Sequence, residues 1–146
     1  MLVLVVGLFF AAMVHAESAT KEECIAKSKA AAKMVIDKGV DAATAEINKK
    51  DGEFVWKNTY VFMMDLDGNM VAHPMKPSLI GKNLLKTPDK AGKMLFQDFV
   101  DLAKSKGEGW VGYMWPKPGE DAPSKKTSFI YRVPGKNLLL GAGIYE

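Results

Sequence analysis

The chain has 146 residues, 48% hydrophobic and 25% charged, which fits a single folded domain and excludes a disordered or collagen-like chain. Its formal net charge is +3, the lysines are scattered among acids, and Arg132 is the only arginine. A guanidinium-rich stripe for nucleic acid is therefore missing, and no nucleic-acid partner is expected.

Met1 to Ala16 carries no charged side chain and is apolar almost throughout. It is shorter than the roughly 20 residues that span a bilayer, and Val14-His15-Ala16 fits the small-x-small pattern of a signal-peptidase site. Residues 1–16 are thus expected to be a signal peptide cleaved after Ala16, with 17–146 forming a periplasmic or secreted domain; an uncleaved anchor is the alternative. Cys24 is the sole cysteine, so an intrachain disulfide is excluded. It reads as a small apolar side chain on a helix, with pairing to another chain as the alternative. Once His15 leaves with the signal, His73 is the one remaining histidine.

Thr20 followed by Glu23 is a capping-box pattern, so a long helix is expected from about Lys21 to Lys38, stopped by Gly39. Ile25, Ala32, Val35 and Ile36 recur at near-helical spacing and form its expected buried stripe. Asp41 is placed to cap a second helix running to about Lys50, packing through Ala42, Ala45 and Ile47. Strand-forming residues follow in Phe54-Val55-Trp56 and Tyr60 to Met64, then the turn Asp65-Leu66-Asp67-Gly68-Asn69 and a return strand Met70 to His73, closed by Pro74. Asp65, Asp67 and Asn69 also match the start of a calcium loop, but no distal Glu stands at the offset required, so a plain turn is expected.

Pro77, Gly81 and Pro88 make Met75 to Pro88 an ordered, irregular segment. Asp89 to Lys106 reads as a helix with Leu95, Phe99, Leu102 and Ala103 inward. A strand from Trp110, a strand around Lys126, and a last strand from Leu138 to Tyr145 complete the chain. The order predicts an α+β domain: an antiparallel sheet of about five strands with one long N-terminal helix packed across it. A parallel doubly wound fold is excluded, because the last three strands have no crossover helices between them.

Catalytic chemistry finds no foothold. One histidine leaves one candidate base, no serine sits in a G-x-S-x-G elbow, and the His and Cys count is too low for a zinc set. Gly107-Glu108-Gly109 opens a strand, so it fails the context of a dinucleotide fingerprint. No enzyme activity, cofactor or metal is expected.

The stretch Trp110 to Tyr131 concentrates aromatic rings and two adjacent lysines. Alternation puts Val111, Tyr113 and Trp115 on one face of the first strand, opposite Trp110, Gly112 and Met114. On the second, Lys126, Ser128 and Ile130 share a face opposite Thr127, Phe129 and Tyr131, which leaves Lys125 for the other face or the loop. Two readings stand: a pocket for a small organic anion, or a sheet core whose rings and lysines reach the surface. His73 has the same two readings, as a donor to a carboxylate or as a half-buried structural imidazole.

Taken in order, Tyr60-Val61-Phe62, Asp65-Leu66-Asp67-Gly68, His73-Pro74, Gly81-Lys82-Asn83, Gly109-Trp110-Val111 with Tyr113 and Trp115, Lys126 with Ser128-Phe129, and Gly141 with Gly143-Ile144-Tyr145 resemble the single Cache domain family. More narrowly, the chain from about Thr20 onward resembles the type 2 single Cache group, found outside the membrane in bacterial chemoreceptors and sensor kinases. The resemblance implies a PAS-like sheet with a pocket for short carboxylates such as acetate, propionate, pyruvate or lactate. Carried over by motif, it assigns His73, Tyr113, Trp115, Lys126 and Ser128 to the ligand, with Phe62, Met75 and Tyr145 in the apolar wall. The family often has tyrosine where this chain has Phe129, which would remove one hydroxyl donor.

Most relatives continue into a second membrane helix and a signalling module, whereas this sequence ends at Glu146. The resemblance therefore implies a free-standing, non-catalytic ligand-binding domain that scavenges its ligand or reports to a membrane receptor or sensor partner. The alternative is a protein-interaction or dimerisation module. It would use the exposed face of the Thr20–Lys38 helix to meet a receptor or a second copy, its pocket vestigial or structural.

Overall fold

The computed structural model describes residues 17–146; the predicted signal peptide lies outside the described residues. The first helix, α1 (Lys21–Lys38), starts with the full capping box: the Thr20 hydroxyl accepts from the Glu23 N–H, and the Glu23 carboxylate accepts from the Thr20 N–H. Its buried face is Cys24, Ser28, Ala31, Ala32 and Val35. This differs from the predicted stripe, since Ile25 is only half-buried and Ile36 is 53% exposed. Small side chains let α1 lie close against the sheet, and that close approach decides which face turns inward. Cys24 is buried as well, which removes it from pairing with another chain.

A second helix, α2 (Val40–Ile47), follows Gly39, whose φ of 90° needs a residue without Cβ. Gly39, not Asp41, is its N-cap, and Ala43 and Ile47 are buried while Ala42 and Ala45 face solvent.

Six strands form one antiparallel sheet: β1 (Val55–Trp56), β2 (Thr59–Asp65), β3 (Met70–Ala72), β4 (Glu108–Pro116), β5 (Pro123–Arg132) and β6 (Leu138–Tyr145). Five of them run in the order β3-β2-β6-β5-β4, and the two-residue β1 adds to the start of β2. The turn between β2 and β3 consumes its own acids. Asp65 Oδ1 accepts from the N–H groups of Asp67 and Asn69, and Oδ2 accepts from the Asn69 side chain. Among the described residues, no group of three His, Cys, Asp or Glu side chains is placed to hold a metal.

The third helix, α3 (Leu95–Ser105), starts later than predicted. Asp89 lies in the preceding loop, where its Oδ1 accepts from the N–H groups of Ala91 and Lys93, and Gly92 turns the chain at φ 84°. A carboxylate saturated by nearby N–H groups stabilises a turn in place of a helical one. The sheet separates two cores. On one face α1 and α2 pack on Val61, Met63, Leu140 and Ala142; on the other, α3 packs on Tyr60, Phe62, Tyr113 and Ile130. The site lies in the second.

Candidate functional site

Register across three strands sets the central residues side by side. Tyr113 of β4 stands opposite Lys126 of β5, which stands opposite Tyr145 of β6; in the next rung Val111, Ser128 and Gly143 align. Two glycines of β6 make the floor. A Cβ at Gly141 would collide with the Phe62 ring, and one at Gly143 would collide with the Ser128 hydroxyl and stand 3.0 Å from Lys126 Cε. Their bare backbone gives Phe62 and the Lys126 stem room to lie flat on the sheet.

Lys126 is 1% exposed. Its Nζ lies 4.3 Å from the Tyr60 ring centroid, 5.0 Å from that of Tyr145 and 6.0 Å from that of Phe62. Among the described residues, no hydrogen-bond partner reaches it. Ring faces stabilise a cation weakly and accept no strong hydrogen bond, so burial dominates and lowers the lysine pKa to about 7.

His73 follows β3, with its backbone N–H on the Asn48 side chain and its Nδ1 accepting from the Lys76 N–H at 2.9 Å. An imidazole that accepts at Nδ1 carries its proton on Nε2 when neutral. Burial, reinforced by the charges of Lys126 and Lys76, lowers the His73 pKa to about 3 and keeps it neutral. The ring lies 4.8 Å from that of Tyr60 and 6.2 Å from that of Trp115.

Hydroxyl groups complete the polar wall. Tyr113 and Ser128 share a hydrogen bond of 2.7 Å, Trp115 Nε1 donates to the Tyr60 hydroxyl at 2.9 Å, and the Tyr145 hydroxyl donates to the Pro116 carbonyl at 2.9 Å. Burial pushes all three tyrosine pKa values up, so these hydroxyls stay protonated donors.

A cavity sits between the sheet and α3, bounded by Tyr60, Phe62, His73, Phe99, Tyr113 and Trp115. It leaves about 10 Å³ for the centre of a water molecule, room for about one water. Outside it, a cleft of about 260 Å³ is walled by Met75, Lys76 and the β4–β5 loop, and it shares Tyr60 and Trp115 with the inner cavity. The hydrogen-bonded Tyr60–Trp115 pair thus separates the two volumes.

Of the residues predicted for the site, Phe62, His73, Tyr113 and Trp115 line the inner cavity. Ser128 touches it through Tyr113, and Lys126 lies against the Tyr60 and Phe62 rings that bound it while also lining a surface cleft on the flank of β5; Tyr145 does not line it and flanks Lys126 instead. Met75 instead lines the outer cleft. Phe129 lies away from the site, packed with Trp110 and Tyr131 on the α1 face. A hydroxyl there would not reach the cavity, and its lack costs the site no donor.

Sequence reasoning missed Tyr60, whose ring is the one nearest the lysine cation. Strand alternation pairs it with Phe62 and was the available signal. It also missed Asp89, whose Oδ2 accepts from the Met114 N–H between Tyr113 and Trp115 at 2.9 Å. That bond ties the loop before α3 to the wall of the site.

A Cache domain profile matches residues 50–146. The chain belongs to the Cache domain family. Solved structures extend the likeness over nearly the whole Cache domain. A periplasmic sensor domain of a chemotaxis protein shares 30% identity at a TM-score of 0.66, covering 85% of this chain and 88% of that one. A Cache chemosensory domain described as recognising carboxylic acid shares 31% identity at a TM-score of 0.69, covering 85% of this chain and 86% of that one.

Among curated proteins, the methyl-accepting chemotaxis protein McpP of Pseudomonas putida is 36% identical over 86 residues, 59% of this chain and 16% of McpP. The sensor histidine kinase MctS of Rhizobium johnstonii is 32% identical over 89 residues, 61% of this chain and 19% of MctS. The chain thus spans under a fifth of the length of these two relatives. It is a Cache chemosensory ligand-binding domain, of a non-catalytic family whose members include periplasmic sensor domains. No described helix is long and apolar enough to cross a membrane.

Proposed function

We propose that this Cache domain is an exported receptor for a short-chain carboxylate of the acetate, propionate, pyruvate or lactate class. One observation carries the proposal: the Lys126 ammonium is buried beside a cavity with no protein acceptor among the described residues. A buried unpaired cation is costly, and a small carboxylate supplies the missing partner. His73 Nε2–H adds a second donor, the Tyr113–Ser128 pair adds hydroxyls, and Phe62, Phe99 and Trp115 enclose the carbon tail.

Support also comes from the 31% identical Cache domain associated with carboxylic acid recognition. A two- to four-carbon acid is larger than the inner cavity, so its entry requires side chains to move. The Tyr60–Trp115 pair is the door between cleft and cavity. Residues 1–16 act as the export signal, and the bound state is read by a membrane receptor or sensor kinase partner.

Thermal unfolding against a panel of C2 to C4 acids tests this directly. A ligand at a hundred times its dissociation constant adds about 2.7 kcal/mol of stability. A panel without any shift contradicts the carboxylate assignment.

A second reading draws on the apolar surface where α1 meets α2: Ile36 is 53% exposed and Val40 is 37% exposed. In that reading the outer face of α1 meets a receptor or a second copy. Light scattering with and without acid separates the two, since the interaction module associates regardless of ligand.

A further inference from the structure

We infer that the site binds a proton together with its carboxylate, so that the domain reads the acid as anion plus proton, with Lys126 taking up the proton. This rests on the carboxylate reading and adds to it a second ligand, the hydrogen ion.

Among the described residues the Lys126 amine has neither a hydrogen-bond partner nor a salt bridge. From β2 it faces Tyr60 and from β6 Tyr145, both at ring-face distances of 4.3 and 5.0 Å. From β4 its cross-strand neighbour is Tyr113, whose hydroxyl is engaged with Ser128. His73, after β3, has its Nδ1 occupied by the Lys76 N–H, so it offers a donor and no acceptor. Lys76, next along, is a cation stacked over Trp115. From α1 the nearest titratable group is the buried Cys24 thiol, which burial holds neutral by pushing its pKa up to about 11.

None of the carboxylates nearby bonds to Lys126. Asp98 and Asp101 of α3 turn outward to Lys93 and Gln97. Asp89 and Glu146 share with Lys126 the lining of a surface cleft on the flank of β5, but neither bonds to its amine, and Asp89 is saturated by the N–H groups of Ala91, Lys93 and Met114. Lys125 points the other way and is exposed. No described salt bridge includes Lys126.

An amine so placed holds its proton weakly, with a pKa of about 7. An arriving carboxylate is the first counter-charge it meets, and the paired ammonium is favoured over the free amine. Above pH 7 the balance is therefore one anion, one neutral lysine and one proton from solvent giving one ammonium–carboxylate pair. Below pH 7 the lysine is already charged and no proton is taken up. His73 remains a neutral donor throughout. Apparent affinity is then flat on the acid side and falls about tenfold per pH unit above 7.

The test is calorimetric titration of the full chain with propionate and with pyruvate at about pH 6 and about pH 8.5. At each pH, two carboxylate-free buffers of different ionisation enthalpy are compared. The expected result is close to one proton taken up per acid at the higher pH and close to none at the lower. Binding whose heat is independent of buffer at both values overturns proton uptake and leaves the carboxylate reading standing. Absence of binding by either acid at about pH 6, where the lysine is charged, counts against the carboxylate reading itself and takes this inference with it.

Discussion

Lys126 points its ammonium at the face of Tyr60, 4.3 Å from the ring centroid, and Tyr60 in turn accepts a hydrogen bond from Trp115 at 2.9 Å. The cation and the aromatic door are thus coupled through one ring. A ligand that draws Lys126 toward a carboxylate acts on the residue that separates the inner cavity from the outer cleft.

The unpaired lysine makes the ligand-free domain pH-dependent in a direction opposite to that of a lysine paired with a carboxylate. Its folded pKa, about 7, lies below the ordinary lysine value of 10.5, so the unfolded chain binds more protons between those values. Stability rises with pH across that window, by roughly 5 kcal/mol at most. Urea unfolding at about pH 6.5 and about pH 9.5 should show this rise in the wild type. In Lys126→Met it should flatten, with the variant more stable than wild type at the lower pH and deaf to the acid.

His73→Phe removes a donor to the ligand and leaves the Lys76 N–H without its acceptor. His73→Asn keeps a side-chain oxygen for that N–H while shortening the reach into the cavity. Hydrogen bonds to charged groups contribute about 1.5–3 kcal/mol, so each variant should weaken acid binding by about 10- to 150-fold in a calorimetric titration. The phenylalanine variant should also lose thermal stability relative to the asparagine one.

Gly143→Ala places a methyl group against the Ser128 hydroxyl, the Thr127 carbonyl and Lys126 Cε. Overpacking of this kind costs about 1–3 kcal/mol. Chemical denaturation should show that loss, and acid binding should fall even at temperatures where the variant is fully folded. A variant with unchanged affinity would mean that Lys126 does not need the floor that Gly143 provides.

Asp89→Ala leaves three backbone N–H groups without their acceptor. Burial works against the Asp89 carboxylate, but the N–H groups of Met114, Lys93 and Ala91 outweigh it and hold the carboxyl below its usual range. That contribution to stability is present above the unfolded carboxyl pKa and is lost as pH falls through the lower folded value. Hydrogen exchange at Met114 should speed up in the variant while exchange in β2 and β6 stays slow.

Much of this architecture was legible in residue order. Alternation on β4 and β5 separated Lys126 and Ser128 from Lys125 and Phe129, because a strand has a fixed period of two. The capping box located the start of α1 for an equally local reason. The buried stripe of α1 was legible only in part: Ala32 and Val35 are buried as their spacing predicts, but Cys24 and Ala31 outrank Ile25 and Ile36 only once the helix lies close against the sheet. The loop position of Asp89 escaped for a similar reason: its third partner, Met114, is 25 residues away in sequence. Tyr60 shows the opposite case, in which the local pattern was sufficient and its partner Lys126, across the sheet, supplied the meaning.

The most direct test of the central claim is the electron density of the domain crystallised with propionate. The predicted result places the carboxylate within hydrogen-bond distance of Lys126 Nζ and His73 Nε2, with the carbon tail against Phe62, Phe99 and Trp115. Propionate bound elsewhere, with Lys126 Nζ still facing the Tyr60 ring and no anion beside it, contradicts it.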